Sequence, residues 1–427
     1  MYGATIAHSA PVQIGRYNPG YDWTDFAVRD FSSTDDLVGR LDREFLVSST
    51  SDLAKVPTEV PLGFDTLIDP DHPKLVHYVQ DVVRPRLVEI GAWDLIDAPL
   101  NNLIATMGDG GSGRSLLFIN YTPAQHNNLM DDPFSGKIAV PSEFGVDTPA
   151  IFGQGVSQNK VHQAVMLTVL KLLIDNDVHL SGRLIWVVNN EGRSSHECSD
   201  VILDTIGDTP DFGIIQIPTE FAVSLGNRGR IDIEVIVKGK VTHSSDPGSG
   251  LSAIEGAAEV VQRLKQLSWP DQHPQLGGRH ALVYKIKYDP VAPHTIPSSS
   301  HLTIDRRLLP GDDLEVAVTE VRETLKGMEP FQVTVSPGVH MLPAVVDPDE
   351  EGVAMLRAAH TATFGEAPVQ RYFAGSFDAA AMCDRGIPTV MYGGGGGVFP
   401  IGPDFVTIED AVKEAEVLTR LILDNLA

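Results

Sequence analysis

Cysteine is scarce in this chain: Cys198 and Cys383 are the two cysteines among 427 residues. Two cysteines exclude a disulfide framework, and these two lack the paired spacing of a zinc ribbon, so we interpret them as small buried side chains in a reducing compartment. Residues 1–16 lack a basic start followed by an apolar stretch, and no apolar run is long enough to span a bilayer. We therefore expect a cytoplasmic protein without membrane contact.

Positive charge is also in short supply. The chain has 32 Lys and Arg against 57 Asp and Glu, which gives a formal net charge of -25 at pH 7. No run of Lys or Arg forms a stripe that could follow a phosphate backbone. Nucleic acid is therefore excluded as an expected partner, and we interpret the acidity as a contribution to solubility.

The chain is too long for one ordinary hydrophobic core, since single cores stop growing at roughly 250–300 residues. Short runs rich in Ile, Leu and Val alternate with amphipathic stretches. Residues 116–120, 184–189 and 212–217 are predicted strands, and 163–175 is a predicted helix. This alternation predicts an α/β domain with three layers, in which helices flank a mostly parallel sheet.

A different order of elements occupies the middle of the chain. The predicted order is strand 231–237, helix 253–267, strands 281–288 and 301–307, helix 314–325 and strand 331–335. That is the order of a ferredoxin-like unit. A helix at 350–364 and a buried strand at 390–392 then resume the first pattern. We therefore predict an inserted lid domain at 228–340, within an α/β domain made of 1–227 and 341–427.

Several segments carry a resemblance to a known family: residues 116–175, 186–191, 243–247, 295–311 and 375–378. In this order and spacing they resemble the aminoacylase, carboxypeptidase G and succinyl-diaminopimelate desuccinylase family of metallopeptidases, over most of the chain after Pro57. The resemblance implies a zinc-peptidase-like α/β domain interrupted by a lid domain that dimerises. We therefore expect a homodimer or higher homo-oligomer through the lid, with 231–237 as an edge strand available for pairing.

Most of the metal-binding positions that the resemblance implies carry other residues here. The family's first His ligand, bridging carboxylate, general base, further carboxylate and last His ligand correspond to Tyr121, Gln158, Asn190, Ile217 and either Pro400 or Ile401. Glu191 is the one ligand retained. Neutral side chains cannot hold two divalent ions, and an amide cannot take a proton from water, so ordinary dipeptidase or deacylase activity ranks last. We predict that Tyr121 and Gln158 contact substrate and that Asn190 occupies a catalytic position.

The residues that handle substrate in the family are matched more closely. By resemblance, His243 is the lid residue that reaches a partner subunit's site and stabilises an oxyanion, and Arg306 grips a substrate carboxylate. His294, Gly375 and Ser376 are the further predicted contacts to substrate. Two plainer interpretations stay open, because Arg306 could instead form an ion pair within the lid and His243 could cap a turn.

New metal ligands could have been recruited around Glu191. His126 lies in the loop after the altered His position, and His196 follows Glu191 closely in the chain. With water or substrate oxygens, these three side chains would make an open site for one weakly held divalent ion, Mn or Zn. The alternative is that both histidines are ordinary hydrogen-bonded or solvated side chains.

Two classes of function follow. The first is an aminohydrolase: water attacks the amine-bearing carbon of a small aromatic amino acid such as 5-nitroanthranilate, whose carboxylate meets Arg306, and ammonia leaves. The overall similarity extends to nitroanthranilate aminohydrolases. The second is a non-catalytic relative whose pocket binds a small ligand. The polar replacements at Tyr121, Gln158 and Asn190 favour the enzyme, since drift would more often place apolar residues there.

Overall fold

The structure, a computed structural model, describes residues 33–59, 68–91, 94–108, 110–111, 113–124, 130–192, 195–396 and 402–427. The strands are β1 (Asp94–Ala98), β2 (Asn102–Met107), β3 (Ser115–Tyr121), β4 (Ile138–Ala139), β5 (Ala150–Phe152), β6 (Arg183–Asn189), β7 (Phe212–Gln216), β8 (Val223–Asn227), β9 (Gly229–Lys238), β10 (Thr242–His243), β11 (Gln272–His273), β12 (Gly277–Gly278), β13 (Ala281–Asp289), β14 (Thr295–Ile296), β15 (Ser299–Leu308), β16 (Gln332–Met341), β17 (Ala344–Val345), β18 (Gln370–Phe373), β19 (Thr389–Tyr392) and β20 (Phe405–Thr407).

The helices are α1 (Thr34–Val38), α2 (Arg43–Ala54), α3 (Pro73–Val76), α4 (Arg84–Ile90), α5 (Val161–Asp175), α6 (Glu197–Ile206), α7 (Ala253–Leu264), α8 (Leu314–Thr324), α9 (Glu351–Phe364), α10 (Ala379–Cys383) and α11 (Ile408–Leu426). Two π-helical segments, His77–Val83 and Val156–Lys160, lead into α4 and α5. None of the described helices is both long and apolar enough to cross a membrane.

A large sheet forms the centre of the α/β domain, with strand order β1-β2-β6-β3-β7-β19-β8-β17 and β18 paired to β8. The neighbours β6, β3, β7 and β19 are parallel. These strands are apolar on both faces because helices cover both sides. Helix α5, with twelve of its fifteen residues buried, packs in the core on one side together with α11, and α6 and α10 pack in the core on the other. The predicted three-layer α/β fold is confirmed.

The lid has its own four-stranded antiparallel sheet, in the order β13-β15-β9-β16. Apolar residues on one face of this sheet and on α7 and α8 form a separate core. The order of its elements is that of a ferredoxin-like unit, as predicted. The prediction that 231–237 forms an edge is wrong, because β9 is hydrogen-bonded on both sides, to β15 and β16. The edges of the lid sheet are β13 and β16.

Candidate functional site

Several predicted site residues meet where parallel strands of the large sheet end. Tyr121 is the last residue of β3 and pairs in register with Asn189, the last residue of β6. Asn190 and Glu191 follow directly. Carboxyl ends of neighbouring parallel strands share one edge, where open α/β sheets commonly bind ligands. Asp378, which precedes α10, is fully buried at the same place.

A chain of hydrogen bonds links three of these side chains. The Tyr121 hydroxyl donates to Asp378 Oδ2 at 2.6 Å, and His196 Nδ1 lies 2.9 Å from Asp378 Oδ1. Burial raises the pKa of Tyr121 well above its ordinary value, and the charges of Asp378 and Glu191 raise it further. Tyr121 is therefore a protonated hydrogen-bond donor at neutral pH. Asp378 was not among the predicted site residues, although it lies two residues after Ser376 in the segment 375–378.

His196 is engaged through both ring nitrogens. Its Nε2 accepts the backbone N–H of Leu342 at 2.9 Å, so the network assigns the proton of a neutral ring to Nδ1. Burial lowers the pKa of His196, but the hydrogen bond and charge of Asp378, with Asp200 and Glu191, raise it overall. Protonation would set Nε2–H against the Leu342 N–H. In this geometry His196 has no nitrogen free to bind a metal.

The Glu191 carboxylate caps the start of α6. Backbone N–H groups of Ser195 and Cys198 each lie 3.2 Å from one of its oxygens. Negative charge at a helix amino end is favourable because it meets unpaired N–H groups and the helix dipole. The side chain is nearly inaccessible. Glu191 was predicted as a metal ligand, whereas in the structure its carboxylate holds the start of α6.

The other altered positions are separated from this cluster to different degrees. Asn190 is fully buried, and its side chain donates to the Asn101 carbonyl in the β1–β2 turn. Gln158 is half-buried in the π-helical segment Val156–Lys160. Its neighbour Asn159 donates to the Pro123 carbonyl at 2.7 Å, which ties this segment to the chain leaving β3. The segment that carries Gln158 is therefore close to the sheet edge, and the Asn190 side chain is bound at the same edge by the β1–β2 turn.

The donors within the described ranges do not fit a resident metal centre. No group of three or more His, Cys, Asp or Glu side chains there could hold an ion. Glu191 caps α6, and His196 is satisfied by Asp378 and Leu342. The predicted ligand His126, and the positions Pro400 and Ile401, lie outside the described residues.

Arg306 occupies the interior of the lid and not the cleft. Its side chain is 2% exposed, donates to Glu320 Oε2 at 2.9 Å and stacks over Trp269 at 4.2 Å from the ring centre. Asp312 lies 3.9 Å away. The prediction that Arg306 grips a substrate carboxylate conflicts with this placement, because the side chain points to the helix face of the lid sheet. The alternative of an ion pair within the lid describes it better.

Arg307, the next residue along β15, faces the junction between lid and α/β domain. Its Nη1 lies 3.1 Å from Ser376 Oγ and 3.4 Å from the Ala374 carbonyl, and its Nη2 lies 2.8 Å from Asp305 Oδ2. The Arg307 guanidinium therefore contacts residues 374–378, the junction loop, at Ala374 and Ser376, and Asp378 is the last residue of this loop. Gly375 and Ser376 lie in this loop, and their contact with substrate stays a prediction. The sequence signal for Arg307 was present, since successive strand residues point to opposite faces.

His243 and His294 lie together at the far end of the lid. His243 is the second residue of β10, His294 directly precedes the paired segment β14, and their ring centres are 6.1 Å apart. Strand β9 runs ten residues from Gly229 beside the junction to Lys238, which is about 30 Å at the usual rise per residue. The structure therefore does not bring these two histidines to the Tyr121–Asp378 cluster of the same subunit.

Comparisons with known proteins agree with this architecture. The family described as M20_dimer, the peptidase dimerisation domain, matches residues 225–330. Acetylornithine deacetylase of Myxococcus xanthus is 26% identical over 346 residues, 75% of this chain and 83% of its own. Carboxypeptidase G2 of Pseudomonas sp. (strain RS-16) is 22% identical over 324 residues, 74% and 75% of the two chains. These findings support the M20 metallopeptidase family.

A solved M20 structure shares the fold. The M20 family metallo-carboxypeptidase Sso-CP2 from Sulfolobus solfataricus has a TM-score of 0.68 at 15% sequence identity, covering 88% of this chain and 99% of its own. At this identity the likeness concerns the fold alone. The matched dimerisation domain suggests a homodimer, and it spans most of the lid, from β8 to just before β16.

Proposed function

We propose that this protein is an M20-type hydrolase that cleaves a C–N bond in a small substrate carrying a carboxylate. Most specifically, we propose an aminohydrolase that releases ammonia from an aromatic amino acid such as 5-nitroanthranilate. The observation that carries the proposal is the contact of Arg307 on β15 with the junction loop, 3.1 Å from Nη1 to Ser376 Oγ, because the same loop ends at Asp378, which holds Tyr121 and His196. A carboxylate grip and a polar cluster therefore share one site.

The proposed reaction uses these groups to orient the substrate and to stabilise the charge that develops on it. A guanidinium suits the planar carboxylate of a substrate and orients its ring. Water gives one proton to a base and adds through its oxygen to the amine-bearing carbon of an electron-poor ring, so that the addition intermediate carries negative charge. The base then returns the proton to the amine nitrogen, and ammonia leaves as the C–O bond replaces the C–N bond. Tyr121, which stays protonated, can donate a hydrogen bond to that charge.

His196 is oriented as general bases commonly are. Its Nδ1 is held by the buried carboxylate of Asp378, which leaves Nε2 as the acceptor, and Leu342 N–H occupies that acceptor here. We propose that a water replaces Leu342 N–H when the lid moves. Asn190 cannot take this role, because an amide is not a base and its side chain is tied to Asn101.

The lid histidines enter as a contribution from a partner subunit. His243 and His294 lie at the far end of the lid, so their predicted contacts to substrate require the homodimer that the M20 dimerisation domain suggests. A single weakly held Mn²⁺ or Zn²⁺ also stays a proposal. Its ligands beyond Glu191 would have to come from outside the described residues, from substrate or from water.

A second candidate is a non-catalytic protein that binds a small carboxylate. The observation that favours it is the poor fit of the described donors to any resident metal centre. Ordinary dipeptidase or deacylase activity ranks third, because Asn190 stands where the resemblance places the general base.

The test is release of ammonia from 5-nitroanthranilate by the full-length protein, with a dipeptide and N-acetylornithine as competing substrates. Arg307→Gln should reduce ammonia release, and Arg322→Gln, an exposed arginine on α8, is the matched control that should not. Binding of 5-nitroanthranilate without ammonia would favour the non-catalytic protein. Cleavage of the dipeptide or the acetyl compound alone would contradict the aminohydrolase.

A further inference from the structure

A second arginine, Arg228, also contacts the junction loop. Arg228 lies between β8 and β9, where the chain enters the lid. Its Nε donates to the Ala374 carbonyl at 3.2 Å, and its Nη1 donates to the Gly278 carbonyl at 3.1 Å. Arg307 also approaches the Ala374 carbonyl, at 3.4 Å. Two half-buried guanidinium groups therefore share one acceptor beside Gly375 and Ser376.

The two arginines differ in how their charge is balanced. Arg307 forms an ion pair with Asp305 at 2.8 Å, and both side chains are 18% exposed. Within the described ranges, Arg228 hydrogen-bonds to neutral carbonyl groups alone. Burial lowers the pKa of Arg228, the charge of Arg307 lowers it further, and Asp305 offsets part of the effect. Within the described ranges Arg228 thus forms no direct ion pair, and Asp305 compensates its charge only in part.

Unpaired polar atoms add a second observation. Arg307 Nε and Asp305 Oδ1 are buried and have no hydrogen-bond partner in the described part of the chain. A buried donor left without an acceptor costs about 1–3 kcal/mol, so native proteins usually satisfy such groups with water or ligand. The site has two guanidinium groups against the one carboxylate of Asp305, and the unpaired Arg307 N–H is a donor that an anion could use.

We propose that Arg228 and Arg307 together clamp one planar carboxylate of the substrate. Arg228 supplies the net charge, and Arg307, held by Asp305, supplies the orientation. The ligand class is an ionised aryl carboxylate. This inference rests on the proposed function, which places the substrate carboxylate at Arg307, and it adds that recognition depends on ligand charge through Arg228.

Calorimetric titration of the full-length protein with benzoate, and with benzamide as its neutral counterpart, tests the clamp. Wild type should bind benzoate and bind benzamide far more weakly. Arg228→Gln should lower the affinity for benzoate roughly 10- to 100-fold, because the loss of a charge-assisted hydrogen bond has an effect of that size, and should change the affinity for benzamide little. Arg228→Lys, which retains the charge but not the fork, should recover part of the affinity and show weaker binding as salt rises.

The matched control is Arg263→Gln. Arg263 also donates to a backbone carbonyl, that of Gly327 at 2.8 Å, but within the lid and away from the junction loop. Its loss should leave benzoate affinity unchanged. If Arg228→Gln lowers the melting temperature but leaves benzoate affinity unchanged, Arg228 is a structural tie and the clamp is wrong.

The two proposals fail in different ways. If Arg307→Gln abolishes benzoate binding while Arg228→Gln and Arg228→Lys both retain it, the clamp fails and the proposed function stands. If wild type binds neither benzoate nor 5-nitroanthranilate, the carboxylate site itself is absent and both proposals fail. Equal affinity for benzoate and benzamide in wild type would also contradict the clamp, without any dependence on how the variants fold.

Discussion

The two faces of strand β15 use adjacent arginines for opposite purposes. On the helix face, Arg306 is enclosed by Trp269 and Glu320 and is 2% exposed. On the junction face, Arg307 reaches Ser376 and is 18% exposed. The first arginine is an interior contact of the lid, and the second is the one that we propose binds a ligand. A shift of one residue in a strand moves the side chain to the opposite face of the sheet.

Replacing Arg306 should cause the largest loss of stability. Arg306→Met should lower the free energy of unfolding by about 3 kcal/mol, because it leaves Glu320 with a lost partner and removes the contact with Trp269. The value is at the low end of the range for buried pairs, since Glu320 is 32% exposed. Urea unfolding measures it, and Arg322→Met should change stability by less than about 0.5 kcal/mol. An equal effect of both variants would remove the distinction between the two faces.

Lys160 is a second buried basic side chain, and among the described residues its hydrogen bond is to a neutral group. It is fully buried, and its Nζ donates to the Val56 carbonyl at 2.6 Å. Burial lowers the pKa of Lys160 to about 7, although Asp404 and Glu59 raise it in part. The unfolded chain, with the ordinary pKa of 10.5, then binds more protons than the folded one between pH 7 and pH 10.5.

Stability should therefore rise with pH in that window and be lost as pH falls through about 7. Between pH 7 and pH 9 we expect a gain of roughly 2–3 kcal/mol in wild type relative to Lys160→Met. Lys171→Met, which removes a partly exposed lysine paired with Asp175, is the control and should keep the wild-type slope. A Lys160→Met variant with an unchanged slope would show that Lys160 titrates normally.

Tyr121→Phe should have the smallest effect. The change removes the donor to Asp378 at 2.6 Å but leaves the His196 contact to the same carboxylate. We expect a loss of about 1.5 kcal/mol in the free energy of unfolding, as is usual for a hydrogen bond to a charged group. Tyr288→Phe, at a 43% exposed position on β13, is the matched control. A loss no larger than the control's would mean that Asp378 does not depend on Tyr121.

Periodicity predicted most of the fold, and its limits explain the errors. Runs of buried apolar residues located β3, β6 and β7, and the order of elements located the lid. Strand order within a sheet is set by long-range pairing, so the sequence did not show that β9 is central. Choosing between Arg306 and Arg307 required the exact register of β15. The sequence did not show that both ring nitrogens of His196 are occupied, because their partners Asp378 and Leu342 are distant along the chain. His196 was therefore predicted as a metal ligand.

The different roles assigned to Arg306 and Arg307 are tested most directly by measuring benzoate affinity and urea unfolding for both Arg306→Met and Arg307→Gln. Arg307→Gln should lower benzoate affinity roughly 10- to 100-fold and should change the free energy of unfolding less than Arg306→Met does. Arg306→Met should lose stability and bind benzoate as wild type does once folded. The opposite pattern, with affinity lost through Arg306 and retained without Arg307, would contradict the assignment of the substrate carboxylate to the junction face.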